Sequence, residues 1–152
     1  MSGATVTIDL REIETLGELL NHKALTSNDR QSLLKSIGLE MVEQSKTRIT
    51  ETNEAPSGEP WAWFAESTLK FLNKHEMNTS LLLREGELLG SLKSELKNEW
   101  SILVGACKEY AAVHQFGYDE KNIPARPYIG LSTENIDDLV VLTENWLQEK
   151  LK

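Results

Sequence analysis

Ser91-Leu-Lys-Ser-Glu-Leu96, the pair Lys97-Asn98, and Glu99-Trp-Ser-Ile-Leu-Val-Gly105 form the stretch on which the fold class turns. Apolar and polar residues alternate roughly in both arms, and a period of two marks a strand with one face in a core. The polar break between the arms predicts a β-hairpin, with Gly105 ending its second strand. Helical spacing of apolar residues dominates the flanking sequence. A hairpin set among helices predicts an α+β fold: a short antiparallel β-sheet (hairpin plus one or two further strands) packed with about four helices, the long ones near the N- and C-termini.

Upstream, Ile13, Leu16, Leu19 and Leu20 predict a first helix from Ile8 to about Leu20, with Asp9, Glu12 and Glu14 complementing the dipole at its start. Thr26-Ser-Asn-Asp29 offers several N-caps for a second helix over about 29–52. Its apolar stripe is Leu33, Leu34, Ile37, Met41, Val42 and Ile49, interrupted at Ser45. Lys35, Glu40, Glu43, Lys46 and Arg48 are assigned to the opposite, solvated face. Downstream, Tyr128-Ile-Gly-Leu131 predicts a further short strand. Ser132 or Thr133 then caps a last helix whose apolar face is Ile136, Leu139, Val140, Trp146, Leu147 and Leu151, with Thr143 on it. Acidic residues at its start and Lys150 and Lys152 at its end agree with the dipole.

Between these elements lie the aromatic and glycine-rich segments. Glu54-Ala-Pro-Ser-Gly-Glu-Pro60 is a turn-rich break that delivers Trp61-Ala-Trp63-Phe64, and Ser67–Lys74 reads as a short helix. Tryptophans after such a loop serve as interface anchors or pin the loop to its own core. Both readings stay open, with Trp61 inward and Trp63 outward. Leu81–Leu92, with Gly86 and Gly90, lacks the Gly-Lys-Ser/Thr ending of a phosphate loop and reads as a short helix leading into a strand. Tyr110–Gln115 reads as a short helix stopped by Gly117 in a left-handed cap. In Pro124-Ala-Arg-Pro127 the second proline restricts Arg126 to extended backbone, so the guanidinium is expected on a stiff corner suited to docking.

Composition narrows the function. The chain has 152 residues, 39% hydrophobic and 26% charged, in the range of one globular domain spanning 1–152. No apolar run approaches the roughly 20 residues of a membrane span, and no basic-then-apolar leader opens the sequence. The net charge of -8 argues against a general nucleic-acid binder, although an acidic wall suits a protein that lets DNA slide past. The single cysteine, Cys107, fits a reducing compartment and reads as a small buried hydrophobe. His22, His75 and His114 show no zinc-site spacing. Cys107 and His114 share a face only if one unbroken helix joins them, and no third group orients the pair. Carboxylates are scattered over solvated helix faces. No catalytic residue, metal or cofactor is expected.

Several segments then fall into a recognisable order. Pro56-Ser-Gly58 with Trp61 is followed by Thr68-Leu69, by Leu82, Gly86 and Leu88 with Ser91, and by Gly105. Tyr110-Ala111 with His114-Gln115 and Gly117 comes next, then Pro124-Ala-Arg-Pro-Tyr128 with Gly130-Leu-Ser132. Over about residues 30 to 150 this order resembles the phage virion morphogenesis family, which includes tail-completion proteins of the S type and the Mu protein G type. The last two motifs are the specific ones. Trp61-Ala-Trp63-Phe64 departs from the family's single tryptophan followed by less bulky residues, and residues 1–28 lie outside the pattern.

The resemblance implies a non-enzymatic structural protein of a phage or prophage, completing the tail or the head–tail junction as a neck or tail-terminator ring subunit. It implies as partners further copies of itself and neighbouring head, neck or tail proteins, with DNA passing through the lumen without specific binding and no membrane. It places the protein in the virion, and in the host cytoplasm during assembly. Ring closure needs a heterologous interface, for which Trp61, Trp63, His114, Gln115, Phe116, Gly117, Arg126, Pro127 and Tyr128 are the candidates. The alternatives are a monomeric cytoplasmic adaptor and a small cysteine-dependent bacterial enzyme.

Overall fold

The computed structural model describes residues 3–83 and 86–152. Arg84 and Glu85, inside the predicted Leu81–Leu92 helix-to-strand segment, lie outside the described residues. The strands are β1 (Ala4–Asp9), β2 (Leu92–Leu96) and β3 (Ser101–Ala106), antiparallel in the order β1-β3-β2. The α-helices are α1 (Glu14–Leu20), α2 (Ser27–Thr47), α3 (Glu66–Lys74), α4 (Glu87–Ser91), α5 (Ala111–Phe116) and α6 (Thr133–Lys150). The fold is α+β, with the predicted hairpin plus one further strand. The chain divides into two compact units, each assembled from separated segments.

One unit comprises residues 6–44, 93–104 and 131–152 and carries most of the sheet. The hairpin closes as predicted. Lys97 N–H donates to Ser101 O at 3.1 Å, and Asn98 Oδ1 accepts from Trp100 N–H at 2.8 Å inside the turn. β3 runs one residue past Gly105. Two arginines bracket Trp100, with Arg30 Cζ 4.6 Å and Arg11 Cζ 5.3 Å from its ring centre. Arg30 also pairs with Glu99 at 3.0 Å. Thr26 and Asp29 cap the start of α2 reciprocally, Asp29 N–H donating to Thr26 Oγ1 and Thr26 N–H to Asp29 Oδ2. The α2 stripe Leu33, Leu34, Ile37, Met41 and Val42 is buried, as are Leu139, Thr143 and Leu147 of α6, against which α1 packs. Ser132 caps α6 with a full capping box, its hydroxyl accepting from Asn135 N–H while Asn135 Oδ1 accepts from Ser132 N–H.

Two expectations are corrected here. The predicted helix from Ile8 does not start there. Ala4–Asp9 is β1, a single 3₁₀ turn follows at Leu10–Glu12, and α1 begins at Glu14. Asp9 accepts from Arg11 N–H at 2.9 Å and holds that turn, so this acidic residue caps a turn after a strand. At the far end of the second helix, Arg48 stands seven residues past Met41 and three past Ser45, which is the spacing of the buried face and not of the solvated one, and a π-helical turn follows over Arg48–Thr52. Arg48 is buried.

The second unit comprises residues 1–5, 45–92 and 105–130. Its buried side chains include Ile49, Trp61, Leu72, Leu81, Leu88, Ala111 and Tyr128. α3 and α4 fall where a short helix and a helix-to-strand passage are expected. Tyr128–Gly130 is not a strand, because side chains occupy its backbone hydrogen-bonding groups. α5 ends at Gly117, whose φ of 78° and ψ of 172° lie outside the left-handed helical cap that was expected. Among the described residues no helix is long and apolar enough to cross a membrane.

Candidate functional site

All nine residues expected at an interface lie in the second unit, gathered around the Pro124–Gly130 corner. Gln115 anchors that corner. Its Oε1 accepts from both Tyr128 N–H and Ile129 N–H at 3.0 Å, and its Nε2 donates to Ile129 O at 3.0 Å. Arg48 Nη1 donates to Tyr128 O at 2.9 Å, Trp61 Nε1 to Pro127 O at 2.9 Å, and Tyr128 OH to Ala111 O at 2.8 Å. A neighbouring strand would have made these bonds; three side chains from distant positions make them instead. Two glycines permit the approach. A Cβ on Gly117, at φ +78°, would meet Ala125 N at 2.8 Å, and one on Gly130, at φ +151°, would meet Pro56 Cγ at 2.7 Å.

Arg126 corrects the sequence reading. It is 7% exposed, and its Nε and Nη2 donate to Ala62 O at 2.8 Å and Trp63 O at 3.2 Å. Its backbone N–H donates to His114 O at 2.7 Å. The corner is stiff, but its guanidinium is turned onto its own unit, where carbonyls left open by the Trp61–Phe64 segment receive it. Tyr128, Gln115 and Trp61 are buried as well, and His114, Gly117 and Pro127 are half-buried. Of the nine, Trp63 at 57% and Phe116 at 64% are the residues that face solvent. Trp63 stands edge-on to Phe64, with ring centres 5.2 Å apart. On α3, Phe71 is 53% exposed.

A cavity of about 650 Å³ opens in the same unit, lined by residues that include Phe64, Thr68, Leu72, Leu83, His114 and Arg126. Burial, and then the charge of Arg126, lowers the His114 pKa, so this imidazole is neutral at pH 7. Burial also lowers the pKa of Arg126 and of Arg48. The Tyr128 phenol is pushed up by burial and, less, by Tyr110. Arg126 and His114 of this lining were candidates for the interface, and Thr68, Leu82, Leu88 and Tyr110 belong to the ordered motifs. Leu72 and Leu83 look in the sequence like ordinary helix and loop residues.

The Cys107–His114 alternative fails on geometry. β3 ends at Ala106 and α5 begins at Ala111, so no unbroken helix carries both side chains. Cys107 is half-exposed rather than buried, because it sits just past the end of the strand. Among the described residues no three His, Cys, Asp or Glu side chains cluster closely enough to hold a metal ion.

The profile of the phage virion morphogenesis family matches residues 8–148. The chain belongs to that family. The match begins at residue 8, so most of the segment set outside the pattern on sequence grounds, residues 1–28, falls within it. The putative capsid assembly protein G of Escherichia phage Mu is 28% identical over 137 residues, covering 83% of this chain and 82% of that protein. An uncharacterized protein of Methanocaldococcus jannaschii is 36% identical over 72 residues, 45% of this chain and 53% of that one. No solved structure matches. Family membership makes this a phage protein of virion assembly.

Proposed function

We propose that the protein completes the tail or the head–tail junction as a ring subunit, a structural part rather than an enzyme. The observation that carries this reading is the pairing of an immobilised corner with outward aromatics. Gln115, Arg48 and Trp61 occupy backbone groups of Pro127, Tyr128 and Ile129, and Arg126 ties the corner to Ala62 O and Trp63 O, while Trp63 and Phe116 stay exposed on the same unit. Large aromatics held on a rigid frame lose little conformational entropy on docking and supply most of an interface's energy. The buried candidates Trp61, Gln115, Arg126 and Tyr128 act as the frame, and Trp63 and Phe116 make the contacts. Partners are further copies of the chain and neighbouring head, neck or tail proteins. The net charge of -8 keeps DNA unbound where it passes.

A mutant phage complemented with the Trp63→Asp/Phe116→Asp double variant tests this assignment. Both side chains are exposed, so the variant folds; infectious titre is expected to fall at least tenfold, with unjoined parts accumulating. Full titre from the double variant refutes the interface.

A further inference from the structure

Arg126 is a buried cation whose side chain lines the cavity yet has, among the described residues, only the neutral carbonyls of Ala62 and Trp63 as hydrogen-bond acceptors. No carboxylate pairs with it among the described residues. A charge withdrawn from water is costly to leave without a counter-charge. Glu87 also lines the cavity, but its carboxylate lies 4.0 Å from Lys108 Nζ and 3.5 Å from Tyr110 OH. Beside Arg126, His114 keeps Nδ1 buried without a hydrogen-bond partner among the described residues. A neutral imidazole can present either a donor or an acceptor at that atom. The rest of the wall is largely apolar, with Phe64, Leu72 and Leu83. Its volume falls within the range of pockets that enclose a small ligand or a side-chain cluster.

We propose that this cavity receives an acidic side chain, Asp or Glu, flanked by an aliphatic residue on a segment of a neighbouring virion protein. The carboxylate meets Arg126 and His114, and the aliphatic group fills the side formed by Phe64, Leu72 and Leu83. Terminal carboxylates are captured by clusters of free backbone N–H groups. Beside Arg126 and His114, three of the lining N–H groups are already used: Ser80 N–H donates to Asn78 Oδ1 at 2.7 Å, Leu83 N–H to Ser80 O at 3.4 Å and His114 N–H to Tyr110 O at 3.4 Å. A side-chain carboxylate, met by side-chain donors, is the better fit. The identity of the partner rests on the assembly reading above; the chemistry of the cavity does not.

The test is an NMR titration of the full chain, observing Arg126 Nε–H and the His114 ring, with the blocked tripeptide acetyl-Leu-Asp-Leu-amide against acetyl-Leu-Asn-Leu-amide. The aspartyl peptide is expected to give saturable shifts at both residues and to bind at least tenfold more tightly than the asparaginyl one. Arg126→Gln should abolish that preference. Thr68→Trp, at an exposed position lining the cavity, should block binding by either peptide while leaving Arg126 in place. Equal binding of the two peptides, or undiminished binding to Thr68→Trp, overturns the proposal. So does preferential binding of acetyl-leucine, which carries a terminal carboxylate, or peptide-independent self-association that Arg126→Gln removes. If the aspartyl preference holds while particles form normally without the protein, the cavity chemistry stands and the assembly reading alone falls.

Discussion

Replacing Gln115 with methionine keeps the volume of the side chain but removes two acceptor sites and one donor from a place with no access to water. In the native protein the carboxamide closes three hydrogen bonds of 3.0 Å to Tyr128 and Ile129, and Gln115 is 6% exposed. Each buried polar group stranded in this way costs about 1–3 kcal/mol. Some relaxation of the corner is expected, because Arg48 and Trp61 still hold Tyr128 O and Pro127 O. A loss of about 3–5 kcal/mol follows, a large part of the roughly 5–15 kcal/mol available to a domain. With urea slopes of about 1–3 kcal/mol per molar, the midpoint should fall by about 2 M. Hydrogen exchange locates the effect: the Tyr128 and Ile129 amides, slow in the wild type, should exchange orders of magnitude faster at a free-energy cost of this size. Gln115→Glu separates the contributions, since it retains the two acceptors but loses the bond to Ile129 O and buries a charge. A midpoint shift below about 0.5 M in Gln115→Met, with both amides still protected, refutes the reasoning that this side chain substitutes for a strand.

Further outcomes follow from the same geometry. Ser132→Ala removes half of the capping box on α6 and should cost about 1 kcal/mol, read as a drop in Tm of about 2–4 °C. Arg48→Met leaves Tyr128 O without its charged donor and should cost about 2 kcal/mol by chemical denaturation, more than any exposed lysine on α2. The lowered pKa of His114 means that the unfolded chain binds this proton more readily than the folded one. Its contribution therefore makes stability fall as pH drops through the ordinary histidine value of about 6.5 towards the folded value, and leaves it unchanged above. NMR titration should place the His114 midpoint below that of a histidine peptide, and Arg126→Gln should raise it.

The hairpin and α6 were legible in the sequence because their determinants are local: alternation around Lys97-Asn98, and Ser132 preceding a stripe with a matching charge gradient. β1 was not. The helical spacing of Ile13, Leu16, Leu19 and Leu20 belongs to α1 alone, and Asp9 and Glu12 imitate a helix start although Asp9 caps a 3₁₀ turn in which Glu12 lies. Tyr128–Leu131 has the composition of a strand, but its pairing groups go to Gln115 and Arg48, 13 and 80 residues away in the closest cases. No local pattern encodes that substitution. Arg48 was misplaced because its charge suggested solvent, whereas its spacing from Met41 and Ser45 puts it on the buried face, where Tyr128 O accepts from it. For Arg126, proline chemistry announces a stiff corner, whereas the direction of the guanidinium depends on the carbonyls of Ala62 and Trp63. Of the candidate contacts, the inward Trp61 and outward Trp63 were readable from the sequence, and the cavity beside them was not.

The most direct test of the assembly role is electron microscopy, with mass measurement, of particles from an infection lacking this protein, before and after the purified protein is added. The account predicts full heads and separate tails that join into infectious particles only on addition. Normal, infectious particles in its absence would contradict it.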